Sequence, residues 1–220
     1  MKQKEMDELR SAIYKGLSDS YRPPDTEIPE HVATLREAVL EAYPDIRLDE
    51  HPERQENSEP SAASDQESTF SDLEGPDRLE ELKIDHARLF VGPFSLLAPP
   101  YGSMYLDQKE QLMTDSSMHA LQWYESEGMD VAIKEVPDHI RIELEFMFFL
   151  IMNEYQSENG SEYDWQRKQR QFLEQHLGRW VAGFEKKTRS GAQTRLYNVL
   201  GHLTGRFVLR DLDELRKQKL

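Results

Sequence analysis

His139 and Glu143 stand four residues apart in the run Pro137-Asp138-His139-Ile140-Arg141-Ile142-Glu143. On a helix that spacing puts both side chains on one face. An imidazole and a carboxylate so placed could share a metal ion. A metal needs further ligands, and no histidine-rich or cysteine motif accompanies the pair. Glu143 and Glu145 imitate a hydrolytic carboxylate pair only by proximity in sequence, because residues two apart on a helix point away from each other. The chain has no G-x-S-x-G elbow, no H-E-x-x-H pair and no Walker A loop. The expectation is therefore no catalytic residue, no resident cofactor and no metal.

Two stretches would position them. The first, Asp85 to Asp107, passes from a helix-like segment into a loop containing Pro93, Pro99 and Pro100. Each proline fixes φ and withholds an N–H, which bars the loop from a regular helix or a central strand. The loop still carries Phe90, Val91, Phe94, Leu96, Leu97, Tyr101, Met104, Tyr105 and Leu106. Loops usually run over the surface, so a stiff apolar one either plugs a core or presents itself to a partner. The second stretch, Pro137 to Met152, reads as a helix with Pro137 in its first position and Asp138 and Glu143 near the positive end of its dipole. Ile140, Leu144, Met147, Phe148 and Ile151 recur on one face, with Ile142, Phe146, Phe149 and Leu150 on another. A helix apolar on both sides belongs in the middle of a domain.

These stretches carry a resemblance. Asp85-x-x-Arg88-Leu89-Phe90 with Gly92-Pro93, then Ala98-Pro99-Pro100-Tyr101-x-Ser103-x-Tyr105-Leu106, resembles one signature of the TorD/DmsD/NarJ family. Pro137-Asp138-His139-Ile140-x-x-Glu143-Leu144-Glu145-Phe146-Met147 resembles the other. His176-Leu177-x-x-Trp180, Tyr197 and Phe207 are similar to the family's C-terminal region, while Asp85 stands where glutamate is commoner. The resemblance implies an all-α, single-domain helical bundle of the TorD/DmsD-like type. It implies a non-enzymatic cytoplasmic chaperone whose partner is the catalytic subunit of a molybdopterin-containing oxidoreductase, held by its N-terminal twin-arginine signal peptide until cofactor insertion is complete. The implied binding residues are Phe90, Gly92, Phe94, Pro99, Pro100, Tyr101, Ser103, Tyr105, Asp138, His139, Arg141 and Glu143. Asp138 would offer a carboxylate to arginine, and Phe94, Tyr101 and Tyr105 apolar contact to the peptide. A plainer reading has Asp138 serving the helix terminus and His139 packing on the preceding loop. Two other functions stay open: an assembly factor for the mature part of a client without an export signal, and a small-nucleotide hydrolase, although no phosphate-cradling glycine loop is present.

Composition narrows the partners. Against 27 basic residues stand 42 acidic ones, a net charge of −15. Such a chain repels phosphate backbones, so no nucleic acid is expected, and a cationic peptide suits it better. With no cysteine, disulfides, thiolate-held clusters and cysteine nucleophiles are excluded. The start, MKQKEMDELR, has no apolar h-region, and the longest apolar block, Phe146 to Met152, is far too short to span a membrane. The expectation is a soluble cytoplasmic protein without stable membrane insertion, as a monomer or an exchanged homodimer.

Along the chain, helices are expected over Glu5–Leu17, His31–Tyr43, Leu79–Phe90, Gln108–Glu127 (with Gly128 as its stop), the central helix, Tyr163–Phe184 and Ala192–Leu209. Asp49 to Pro76 is rich in Glu, Ser, Asp and Pro and reads as a flexible acidic insertion. Trp123, Trp165, Trp180, Met113, Met118, Met147 and Met152 are expected as core filling, and Gly201 with Gly205 as a close helix contact.

Overall fold

The computed structural model describes residues 3–47, 76–92, 95–107, 113–130, 136–157 and 162–218. The acidic insertion, Pro93, Phe94 and Gln108 to Leu112 lie outside the described residues, apart from Pro76. The described residues form α1 (Gln3–Ser20), α2 (Ile28–Ala42), α3 (Pro76–His86) with a π-helical turn (Ala87–Val91), α4 (Ser103–Leu106), α5 (Asp115–Ser126), α6 (Ile140–Gln156), α7 (Glu162–Gln175), α8 (Leu177–Gly191) and α9 (Arg195–Lys217). The class is all-α, as expected.

α6 is the buried rod anticipated from its two apolar faces. Ile140, Leu144, Phe146, Met147, Leu150 and Ile151 are wholly buried, and each such side chain contributes about 1.5–3 kcal/mol by leaving water. α1 packs along α6, and α7 closes on it from another side. α8 and α9 form the second extensive pair. They approach closely because a Cβ at Gly201 would lie 2.9 Å from Thr188, and one at Gly205 2.8 Å from the Glu185 Cβ. That bears out the expected glycine contact.

The two halves are tied by a buried polar network. Arg10 Nε donates to Asp211 Oδ1 at 2.6 Å and Arg10 Nη2 to Gln169 Oε1 at 2.8 Å. Tyr14 and Tyr43 donate their hydroxyls to the same aspartate at 2.9 and 2.6 Å. Gln169 passes the chain on to Glu154 of α6 at 2.7 Å. A buried charge is tolerable only when paired and hydrogen-bonded, and the Arg10–Asp211 pair meets both conditions.

Several boundaries differ from expectation. The helix expected over Tyr163–Phe184 is two helices, broken at His176 with φ −127° and ψ −104°. On α3 and the π-turn that follows it, Leu82, Asp85 and Leu89 turn inward, and Ile84 is 52% exposed. Met113 and Met118 are exposed rather than core, whereas Met147 and Trp180 are buried. Trp123 and Trp165 pack at the edge of the core.

Candidate functional site

The proline loop and the start of α6 are in register with each other. Ile140 N–H donates to Pro100 O at 2.8 Å, and Gly102 N–H to Asp138 O at 2.8 Å, so Tyr101 and His139 face each other as an isolated antiparallel bridge. Their rings meet edge to face, 5.2 Å between centroids. Both side chains are only part-buried. Two stretches far apart in sequence thus share one surface, and its centre is this pair.

The helix begins differently from expectation. Pro137 is not its first residue: it lies in a turn, and its carbonyl accepts the Tyr124 hydroxyl at 2.9 Å. His139 is the N-cap, its Nδ1 accepting from Arg141 N–H at 3.1 Å. An imidazole used this way stays neutral, and burial, with Arg141 adding, lowers its pKa to about 4.

Asp138 is 1% exposed. Its Oδ2 accepts from Ser103 N–H at 2.6 Å, which pins the first residue of α4 to the start of α6. The expected surface carboxylate is therefore a clasp beneath the surface, held on the Ser103 amide. Glu143, also expected to touch a partner, is wholly buried. Its Oε2 accepts from Trp180 Nε1 at 3.0 Å. Burial pushes its pKa well above the carboxylate range; the Trp180 hydrogen bond opposes this and the charge of Asp138 adds to it. Gly102 is required between them, since a Cβ there would lie 3.0 Å from Trp180 Nε1 and 3.2 Å from Glu143 Oε1.

The other expected residues divide by exposure. Phe90 is buried against Tyr21, Phe184 and Tyr197. Ser103, Pro99 and Pro100 are buried, while Gly92, Tyr105 and Arg141 are part-exposed. Gly92 closes the π-turn, donating its N–H to Ala87 O at 2.7 Å. Tyr105 stacks on Trp180 with 5.4 Å between centroids, and its hydroxyl donates to Pro99 O at 3.0 Å. Phe94 lies outside the described residues. Tyr101, His139, Arg141 and Tyr105 are partly exposed, and Val91 (64% exposed) and Leu97 (43%) of the same stretch as the loop are exposed.

Three contributors escaped the sequence reading. Trp180 is core, as its spacing predicts, and is also the donor to Glu143. Gly102 had a readable signal, a glycine flanked by Tyr101 and Ser103. Asp85, a motif residue in the sequence, is structural here: its Oδ2 accepts from the N–H groups of Gln193 and Thr194 at 3.0 and 2.8 Å, and from the Thr194 hydroxyl at 2.8 Å. It thereby caps α9 from α3, while Arg88 pairs with its other oxygen at 3.0 Å.

Residues 25–186, well over half of the chain, match the family described as nitrate reductase delta subunit. The chain belongs to this family. It is 31% identical over 126 residues to the Tat proofreading chaperone DmsD of Salmonella paratyphi A, covering 56% of this chain and 57% of that one. It is 28% identical over 164 residues to the chaperone protein TorD of a Psychrobacter species, covering 72% and 74%. Over 89 residues it is 36% identical to a perchlorate reductase assembly chaperone protein of Dechloromonas aromatica, covering 40% of each. The chain thus spans a little over half the length of the DmsD relatives it matches. No helix among the described residues is long and apolar enough to cross a membrane.

Proposed function

We propose that this protein is a system-specific chaperone, not an enzyme, acting in the cytoplasm. Its client would be the catalytic subunit of a molybdopterin oxidoreductase, recognised through an N-terminal twin-arginine signal region and held until the cofactor is in place. The observation that carries this reading is the Tyr101–His139 bridge. It gathers the two family signatures onto one face, and Val91 and Leu97 of the first signature's stretch are exposed. Aromatic and aliphatic groups at a rigid edge suit the apolar stretch of a peptide, and an acidic chain steers its basic end. The relatives' names, which speak of Tat proofreading and of reductase assembly, support the same reading.

The test is a titration of the full chain with a synthetic twin-arginine signal peptide, followed by anisotropy of a label on the peptide. Saturable binding that weakens at least tenfold in Tyr101→Ala, with an unchanged circular dichroism spectrum, supports the reading. Absence of binding, beside tight binding to the client lacking its signal segment, replaces it with the assembly factor for a mature subunit.

A further inference from the structure

The outward face of α8 is cationic, in a chain whose net charge is −15. Its exposed residues are Arg179, Ala182, Gly183, Lys186, Lys187 and Ser190. Every charged group among them is basic, and two small residues leave the middle of the face flat. Glu185, the single acid of α8, is buried against α9. There one carboxylate oxygen is shared by His202 Nδ1 at 2.6 Å, Arg206 Nε at 3.5 Å and Arg189 Nη1 at 3.7 Å. The Arg206 side chain stays exposed, so positive charge continues across the α8–α9 seam. Other surface cations sit beside acids of their own helix: Lys15 by Asp19, Arg78 by Glu81, Arg167 by Asp164 and Arg216 by Asp213. Arg179 and Lys186 have no such neighbour among the described residues, and Lys187 leans over the Tyr105 ring, 4.8 Å from its centroid.

We propose that this face holds the chain's own acidic segment, residues 48–75, as an intramolecular partner. Charge favours that occupant: the 28 residues between Arg47 and Pro76 carry nine acids and one arginine. Connectivity favours it too, because the segment starts at the edge of the face. His202 Nε2 donates to the carbonyl of Arg47 at 3.2 Å, and its Nδ1 lies 2.9 Å from Arg189 Nη1. At the other end the segment leads into α3, which Asp85 fastens to Gln193 and Thr194 just after α8. Reach is not limiting: α8 is about 22 Å long, and a chain of the segment's length can extend over roughly 90 Å.

An exposed ion pair is individually weak, and two features offset that here. The cations are clustered, so each acid meets the summed field of several. The segment is tethered at both ends, which raises its effective concentration at the face to the order of millimolar. A contact too weak to form between molecules therefore forms within one. The spacing of the charges agrees. Glu50, Glu53, Glu56 and Glu59 recur every third residue, and three residues of chain span about 10 Å, the rise from Arg179 to Lys186 along the helix. This contact stands apart from the client reading, since it uses neither Tyr101 nor His139.

The experiment treats the dilute full chain with a carbodiimide, which joins a carboxylate and a touching lysine amine as an amide, and maps the links by mass spectrometry. Within single chains, links from Lys186 or Lys187 to acids of residues 48–75 should exceed those from Lys15 and Lys168 to the same acids about fivefold or more. They should fall about tenfold when salt is raised to about 1 M. Arg179→Glu, a change at an exposed position, should lower the Lys186 links about threefold. Links at Lys186 no more frequent than at Lys15 and Lys168, or indifferent to salt, overturn the inference. The same links found only in covalent dimers overturn it in favour of a second copy. The signal-peptide titration is read independently, so either reading can fail while the other stands.

Discussion

Gly102→Ala tests whether the clasp between loop and helix is as tight as its geometry says. The backbone of Gly102 has φ −58° and ψ −40°, which any residue adopts without strain, so the added methyl acts through contact alone. It would meet Trp180 Nε1 at 3.0 Å, Glu143 Oε1 at 3.2 Å and Trp180 Cε2 at 3.3 Å. Neither neighbour can withdraw freely. The indole is stacked on Tyr105 and edged by Phe184, 5.6 Å between centroids, and Glu143 is anchored in the fully buried face of α6. Overpacking of a filled interior costs about 1–3 kcal/mol. Separating Trp180 from Glu143 leaves a buried carboxyl without its one donor, about 1–3 kcal/mol. The two are alternatives, since relief of one produces the other, so the expected total is about 2 kcal/mol. For a chain of this size each kcal/mol lowers Tm by about 2–4 °C, and urea unfolding followed by tryptophan fluorescence would read both. Gly128→Ala is the control. Gly128 has φ +78° and nothing within 4 Å, so its cost of about 1–2 kcal/mol comes from backbone strain and is softened in Gly128→Asn. The same relief should be absent in Gly102→Asn, where a larger side chain meets the same wall. A Gly102→Ala variant as stable as the natural chain would refute the close packing of Trp180, Glu143 and the loop.

Three further outcomes follow from other parts of the molecule. Asp211→Ala leaves the Arg10 guanidinium buried without its main partner and should cost about 3–5 kcal/mol, read by chemical denaturation; a loss under 1 kcal/mol would sink the network's structural role. His176 is buried with neither ring nitrogen partnered among the described residues, and burial, with His119 adding, lowers its pKa to about 4. Its ordinary pKa is near 6.5, so below that value the unfolded chain takes up a proton that the folded chain refuses, and stability falls between pH 6.5 and 4. His176→Phe, which retains the stacking on Phe172, should lose less over that window in acid-unfolding curves than the natural chain does. Val91→Lys and Leu97→Lys change exposed positions, so Tm should move little while affinity for the signal peptide falls about tenfold, equivalent to about 1.4 kcal/mol; unchanged affinity would remove these residues from the proposed face.

Local pattern carried much of this. The two apolar faces of α6 were legible because burial follows helical period, and the loop's rigidity because proline chemistry is local. The meeting of Tyr101 with His139 was not a matter of period; it came through the family's paired signatures. What stayed hidden depends on distant partners. Pro137 looked like a helix start, but Asp138 is drawn to the Ser103 amide, which holds these residues in a turn and moves the cap to His139. The break at His176 left no trace because Leu173 and Leu177 flank it as any apolar pair would. Arg10 and Asp211 are 201 residues apart, and nothing in either neighbourhood announces the other. The same limit explains Asp138 and Glu143: sequence spacing names a carboxylate, while its depth is decided by what packs above it.

The π-turn at Ala87–Val91 has a consequence for chain length. A wider turn takes up roughly one residue more than an α-helical turn would. Here it leaves Phe90 pointing into a nest of rings and Val91 pointing out to water. Adding one more residue between Phe90 and Val91 would turn the side chains before it relative to those after it by about 100°, drawing an aliphatic group toward the aromatic nest and a phenyl ring away from it. Spacing between Asp85 and the first loop proline is therefore under as firm a restraint as the identities of the residues that fill it.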